Sequence, residues 1–267
     1  MKVFQKFKNG LDIGSNSFQL LWKNKKLIIY LGIPVFIKSI IDLITYNLYI
    51  DPTALKIPLF QKKPVLMLIK MTESYSWGKY ILLQSISFLC LILLLLGSIL
   101  LTCHVSKIIQ NSIISIKETV KACRTKIPRA ILWAIIVFIP LLLQNYSNNK
   151  AHYLVILAFS IWSILTAFVI QALSLDNTTI IQALKKSVLT VRSLFTQYIG
   201  AIFWIGLVTV LSITPFLILD KYIYLKYNSQ ILSILSYSVA TLVSCIIPTA
   251  YTIAKTLLYT RYKKEQS

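Results

Sequence analysis

Acidic side chains are what this sequence has least of: eight Asp and Glu stand against 28 Lys and Arg in 267 residues. General acid–base catalysis needs titratable groups within hydrogen-bond reach of one another. Asp12, Asp51, Glu73, Glu118, Asp176, Asp220 and Glu265 fall in loops or tails, and only Asp42 lies well inside an apolar run. No pair suits that chemistry, so an enzyme is not expected. Glycine is scarce as well. The seven glycines form neither G-x-G-x-x-G nor G-x-x-x-x-G-K-S/T, which removes the loops that cradle nucleotide phosphates.

The four cysteines, Cys90, Cys103, Cys123 and Cys245, show no C-x-x-C spacing and are expected to be free thiols. His104 and His152 each stand alone at the end of an apolar run, with no second ligand at metal-binding spacing. Neither a metal nor a cofactor is expected.

Charge of either sign is low, at 13% of residues, where a soluble domain carries about 25%. Hydrophobic residues make up 57% and the mean hydropathy is +0.72. That composition excludes an ordinary soluble domain. In lipid a spanning segment must satisfy its own backbone hydrogen bonds, which leaves helices or closed barrels. The apolar runs are continuous and lack the period-two alternation of a barrel strand. The expected fold class is therefore all-α, a polytopic membrane protein.

Six runs approach or exceed the roughly 20 residues needed to cross the hydrocarbon core. They lie at about 27–49, 80–102, 130–146, 152–173, 198–219 and 231–258, in one integral membrane domain covering 1–267. The formal charge of +20 sits mostly beside these runs, where Lys and Arg orient helices and meet anionic headgroups. It forms no contiguous stripe of the kind that binds nucleic acid. The amino terminus, the loop Lys107–Arg129, the Lys185, Lys186 and Arg192 segment and the tail with Lys255, Arg261, Lys263 and Lys264 all fall on one side. By the positive-inside rule that side is cytoplasmic, with both termini there. A basic start before Leu27–Ile37 resembles a signal peptide, yet no small-residue cleavage site follows, so cleavage is not expected. The long outer loop Asp51–Lys79 reads as a lipid-facing segment with snorkelling lysines, with a substrate-gathering lid as the alternative.

Three stretches align on their prolines: SFQLLWKNKKLIIYLGIP to Pro34, SIKETVKACRTKIPRAILWAIIVFIP to Pro140, and IIQALKKSVLTVRSLFTQYIGAIFWIGLVTVLSITP to Pro215. Each is a basic amphipathic segment, then an apolar run, then a return run. A three-fold internal repeat is implied, with short amphipathic helices lying as a collar on the cytoplasmic leaflet. This pattern, with IIQALKKSVLTVRSLF and the closing LLYTRYKK, resembles a broad group of uncharacterised six-helix bacterial membrane proteins. That group includes the membrane domain fused to some glycerophosphodiester phosphodiesterases. The resemblance implies a six-span fold in a bacterial inner membrane and no activity, because the phosphodiesterase chemistry belongs to a separate domain.

Two sets of residues are candidate sites. Lys38 and Asp42 share a helical face inside the first run, where ionisable groups are costly and often functional. They form a structural pair or mark a translocation path. The last run carries a polar face, Ser233, Tyr237, Thr241, Ser244 and Tyr251, continuing to Lys255. Packing against a neighbouring helix explains such a face, and pore lining is the alternative. The function expected is an organising or accessory one, non-enzymatic, binding anionic lipid headgroups, a membrane partner or a second copy of the chain. A small transporter or channel using Lys38 and Asp42 is the alternative.

Overall fold

A computed structural model describes residues 2–49, 77–112, 114–146, 149–227 and 230–266, and it is all-helical, with 93% of residues in helix. The chain runs as α1 (Lys2–Lys23), α2 (Ile28–Tyr49), α3 (Trp77–Ile109), α4 (Ile116–Cys123), α5 (Ile127–Tyr146), α6 (Asn149–Leu165), α7 (Val169–Leu175), α8 (Ile180–Tyr227) and α9 (Gln230–Gln266). Among the described residues, three segments are long and apolar enough to cross a membrane: Gln84–Ile109, Leu154–Leu175 and Ile180–Pro215. Of the outer loop expected over Asp51–Lys79, residues 51–76 lie outside the described residues, and Trp77–Lys79 begin α3.

Two joints share a form. α1 passes into α2 through a 3-10 turn at Lys25–Leu27, and α4 passes into α5 through another at Arg124–Lys126. Asn24, a weak helix former, ends α1 and donates its side-chain amide to Leu20 O at 3.1 Å. Pro128 sits in the first turn of α5, where its missing N–H would be unpaired in any case. The third basic stretch behaves differently. Expected as a separate interfacial helix over Ile180–Phe195, it is continuous with the apolar run, and α8 extends unbroken for 48 residues. Nothing between Phe195 and Tyr198 breaks a helix there: the linking residues are Thr and Gln, with neither proline nor a capping Asn.

α1 is docked against α8 and α9. Its buried stripe, Gly10, Ile13, Gly14, Ser17 and Leu21, recurs at helical spacing. Close approach is set by glycine on both helices. A Cβ at Gly200 would lie 2.5 Å from Phe7 O and 3.1 Å from Gly10 Cα, and one at Gly14 would lie 2.9 Å from Trp204 Cβ. Small residues four apart let backbones touch in this way, the packing that replaces a hydrophobic driving force between helices in lipid.

α7 is buried on all sides, from Val169 to Ser174. A turn at Thr166–Phe168 separates it from α6, so backbone groups are released inside the packed helices. Ser187 of α8 satisfies two of them. Its hydroxyl donates to Leu165 O at 2.7 Å and accepts from Phe168 N–H at 3.0 Å. A helix break at that depth is tolerated only where such partners exist.

Candidate functional site

The turn between α7 and α8 gathers the densest polar chemistry among the described residues. Thr179 closes the amino end of α8 by a reciprocal cap: its Oγ1 accepts from Gln182 N–H at 3.4 Å, and its own N–H donates to Gln182 Oε1 at 3.3 Å. Asn177 turns the chain with φ 52°, a left-handed conformation that Asn adopts more readily than most residues. These local features present Asp176 inward, and its side chain is only 7% exposed.

Three donors converge on that carboxylate. Lys186 Nζ of α8 donates to Oδ2 at 2.6 Å, Lys263 Nζ of α9 to Oδ1 at 2.7 Å, and the Tyr259 hydroxyl to Oδ2 at 2.6 Å. Burial by itself would push the Asp176 carboxyl up, but the hydrogen bonds from Lys186, Lys263 and Tyr259 outweigh it and hold the group below the usual carboxylate range. Tyr259 is itself buried and stacks on Phe168, with ring centroids 6.3 Å apart, so the node is anchored to the same break that Ser187 closes. Two further cations fasten the turn from α5 and its preceding joint. Lys126 Nζ donates to Ser174 O and lies 3.5 Å from Cys103 Sγ, and Arg129 donates to Asn177 Oδ1 at 2.5 Å. Two cations thus meet the carboxylate, and two more hold the residues on either side of it. The ensemble ties the α7–α8 turn to α5, α8 and α9 and leaves an excess of positive charge.

A second polar node joins α2, α3 and α4. Tyr30 OH lies 2.8 Å from His104 Nδ1, which lies 3.1 Å from the Thr119 hydroxyl, so His104 ties three helices. The described residues contain no group of three or more His, Cys, Asp or Glu able to hold a metal ion.

The residues singled out in the sequence are placed as follows. Lys38 and Asp42 are both in α2, and the Lys38 side chain is exposed. The side chain of Asp42 lies outside what is described, as do those of Ser233, Tyr237, Thr241 and Ser244 in α9. Tyr251 is half-buried, and its hydroxyl lies 2.5 Å from that of Tyr198 in α8. Asp176, by contrast, had the appearance of an ordinary loop acid. Its partners Tyr259 and Lys263 are more than 80 residues away in sequence, and no local pattern announces them. Comparison with protein-family models, with curated proteins and with solved structures gives no significant match.

Proposed function

We propose that this chain is a non-enzymatic organising or accessory protein of a bacterial cytoplasmic membrane that binds anionic lipid at its cytoplasmic face. The observation that carries the reading is the cation excess at the α7–α8 turn, where Lys186 and Lys263 pair with the single carboxylate of Asp176 while Lys126 and Arg129 bind the neighbouring Ser174 carbonyl and Asn177 side chain. Juxtamembrane cations of this kind attract anionic headgroups, each contributing about 1 kcal/mol near the surface. Outward-facing Leu89, Leu93, Leu154, Leu157, Val210 and Leu211 support a lipid setting, since an exposed apolar area of that extent invites association in water.

The finer architecture belongs to the same proposal. Helix over the apolar runs, broken only by the turn at Thr166–Phe168 within the fourth, favours six spans with both termini cytoplasmic, and the matching 3-10 joints at Lys25–Leu27 and Arg124–Lys126 favour the internal repeat. The kinship proposed is with the six-helix membrane domains whose pattern the chain resembles. A transport role for Lys38 and Asp42 gains no support from the exposed position of Lys38.

Lipid composition around the purified chain tests the reading. In nanodiscs mixing phosphatidylglycerol with phosphatidylcholine, the bound shell should be enriched severalfold in phosphatidylglycerol, and the enrichment should shrink in high salt. A bound shell matching the bulk mixture refutes lipid recognition. An ion flux through liposomes that the Lys38→Met, Asp42→Leu variant abolishes would install transport in its place.

A further inference from the structure

The cations at the α7–α8 turn have oxygen partners, but among the described residues Lys255 has none. It lies on α9 two turns before Lys263, about 12 Å along the helix axis. The side chain is half-buried, and its Nζ sits 4.4 Å from the centroid of the Tyr251 ring. Among the described residues no carboxylate lies within ion-pair distance of it. A partly desolvated ammonium on a ring face keeps three N–H donors, and the ring satisfies them weakly.

The next group along has the same imbalance. Tyr251 and Tyr198 share one hydrogen bond, their hydroxyl oxygens 2.5 Å apart, and Tyr198 is only 2% exposed. Two hydroxyls carry two protons, and one such bond uses one of them. The other O–H finds no acceptor among the described residues. An ammonium over the face of the Tyr251 ring and an O–H donor at its edge therefore have no oxygen acceptor among the described residues. Donors in excess, in a partly dry setting, fit a ligand that has only acceptors.

We propose that Lys255, Tyr251 and Tyr198 form an oxyanion site for a singly charged phosphate ester, the ammonium taking the charge and the hydroxyl a second oxygen. One cation matches the single charge of a phosphodiester. This inference rests on the anionic-lipid reading above and gives it a defined residue set, separate from the cations held by Asp176.

The full chain in phosphatidylcholine nanodiscs doped with phosphatidylglycerol supplies the test, with retained phosphatidylglycerol counted by mass spectrometry. Lys255→Met should lower retention about tenfold, the scale of one lost charge-assisted hydrogen bond, and Lys255→Arg should keep most of it. Tyr251→Phe keeps the ring and removes the hydroxyl; it should cost about threefold to fivefold. Lys185→Met, at an exposed lysine of α8, should change nothing. Displacement of the lipid by millimolar inorganic phosphate would assign the same site to a soluble phosphate. If Lys255→Met fails to fold, Tyr251→Phe decides alone. Wild-type enrichment that survives both Lys255→Met and Tyr251→Phe overturns this site and leaves the broader reading standing. Absence of enrichment in the wild-type chain overturns both.

Discussion

Replacing Asp176 by Asn is the most informative perturbation of the polar node. The substitution keeps the shape and one acceptor oxygen but removes the charge that two ammonium groups share. Lys186 and Lys263 are 42% and 49% exposed, so water recovers much of their lost interaction, and each contributes only about 1 kcal/mol. Tyr259 is buried and cannot rehydrate; a weakened or lost partner there costs about 1–3 kcal/mol. A total loss of about 3–5 kcal/mol is expected, and at about 2–4 °C per kcal/mol it lowers Tm by roughly 6–20 °C. Thermal unfolding in detergent, read by circular dichroism, measures it. Glu265→Gln provides an internal comparison. Its Arg261 pair is exposed on both sides, 44% and 47%, and its loss should be invisible. If Asp176→Asn unfolds within a degree of the wild-type chain, the node does not hold these helices and the reasoning fails. The pH dependence follows from the depressed carboxyl. A carboxyl held below its unfolded value of about 3.9 contributes stability that is complete above that pH and is lost as pH falls through the lower folded value. Wild-type Tm should therefore decline on acidification below about pH 4, and Asp176→Asn should show a shallower decline in that window.

Ser187→Ala removes the hydroxyl that accepts from Phe168 N–H and donates to Leu165 O, leaving buried backbone groups unpaired. It should cost about 1–3 kcal/mol by the same melt, whereas Thr209→Ala, whose hydroxyl only returns to Ile205 O within its own helix, should cost less. Gly200→Ala places a Cβ against the backbone of Phe7 and Gly10, neither of which can move aside as a side chain could. Hydrogen exchange across residues 10–17 should accelerate at least tenfold, while Gly206→Ala, with nothing within 4 Å, should leave exchange unchanged. Ser115→Ala breaks the reciprocal cap with Glu118 at the start of α4. A loss of about 1 kcal/mol should speed amide exchange there about fivefold without moving the global transition.

Helices were legible because long apolar runs admit few other structures in lipid. Contacts that decide the site were not. Asp176 owes its burial to Tyr259 and Lys263, which arrive from another helix, and the break before α7 owes its existence to Ser187 rather than to any proline or glycine nearby. The residues around that break, Leu165 to Val169, include Thr, Ala and Phe and read as an unbroken apolar run. One contact could have been anticipated. Gly10 and Gly14 are four apart, and in a chain with seven glycines that spacing signals a close helix crossing. The join expected near Phe195 was placed there because the composition changes from basic to apolar. A change in which face is polar does not by itself break a backbone, and α8 runs through it.

The α1–α8 crossing also imposes an order in time. Gly10 and Gly200 meet, yet about 190 residues separate them, so α1 must wait for a helix made much later. At synthesis rates of 5–20 residues per second that wait is roughly 10–40 s. Throughout it the stripe of Ile13, Ser17 and Leu21 has no docking partner on α8, and a membrane surface close to the ribosome is the natural place for such a helix to rest. Closure of this crossing therefore cannot precede the synthesis of α8.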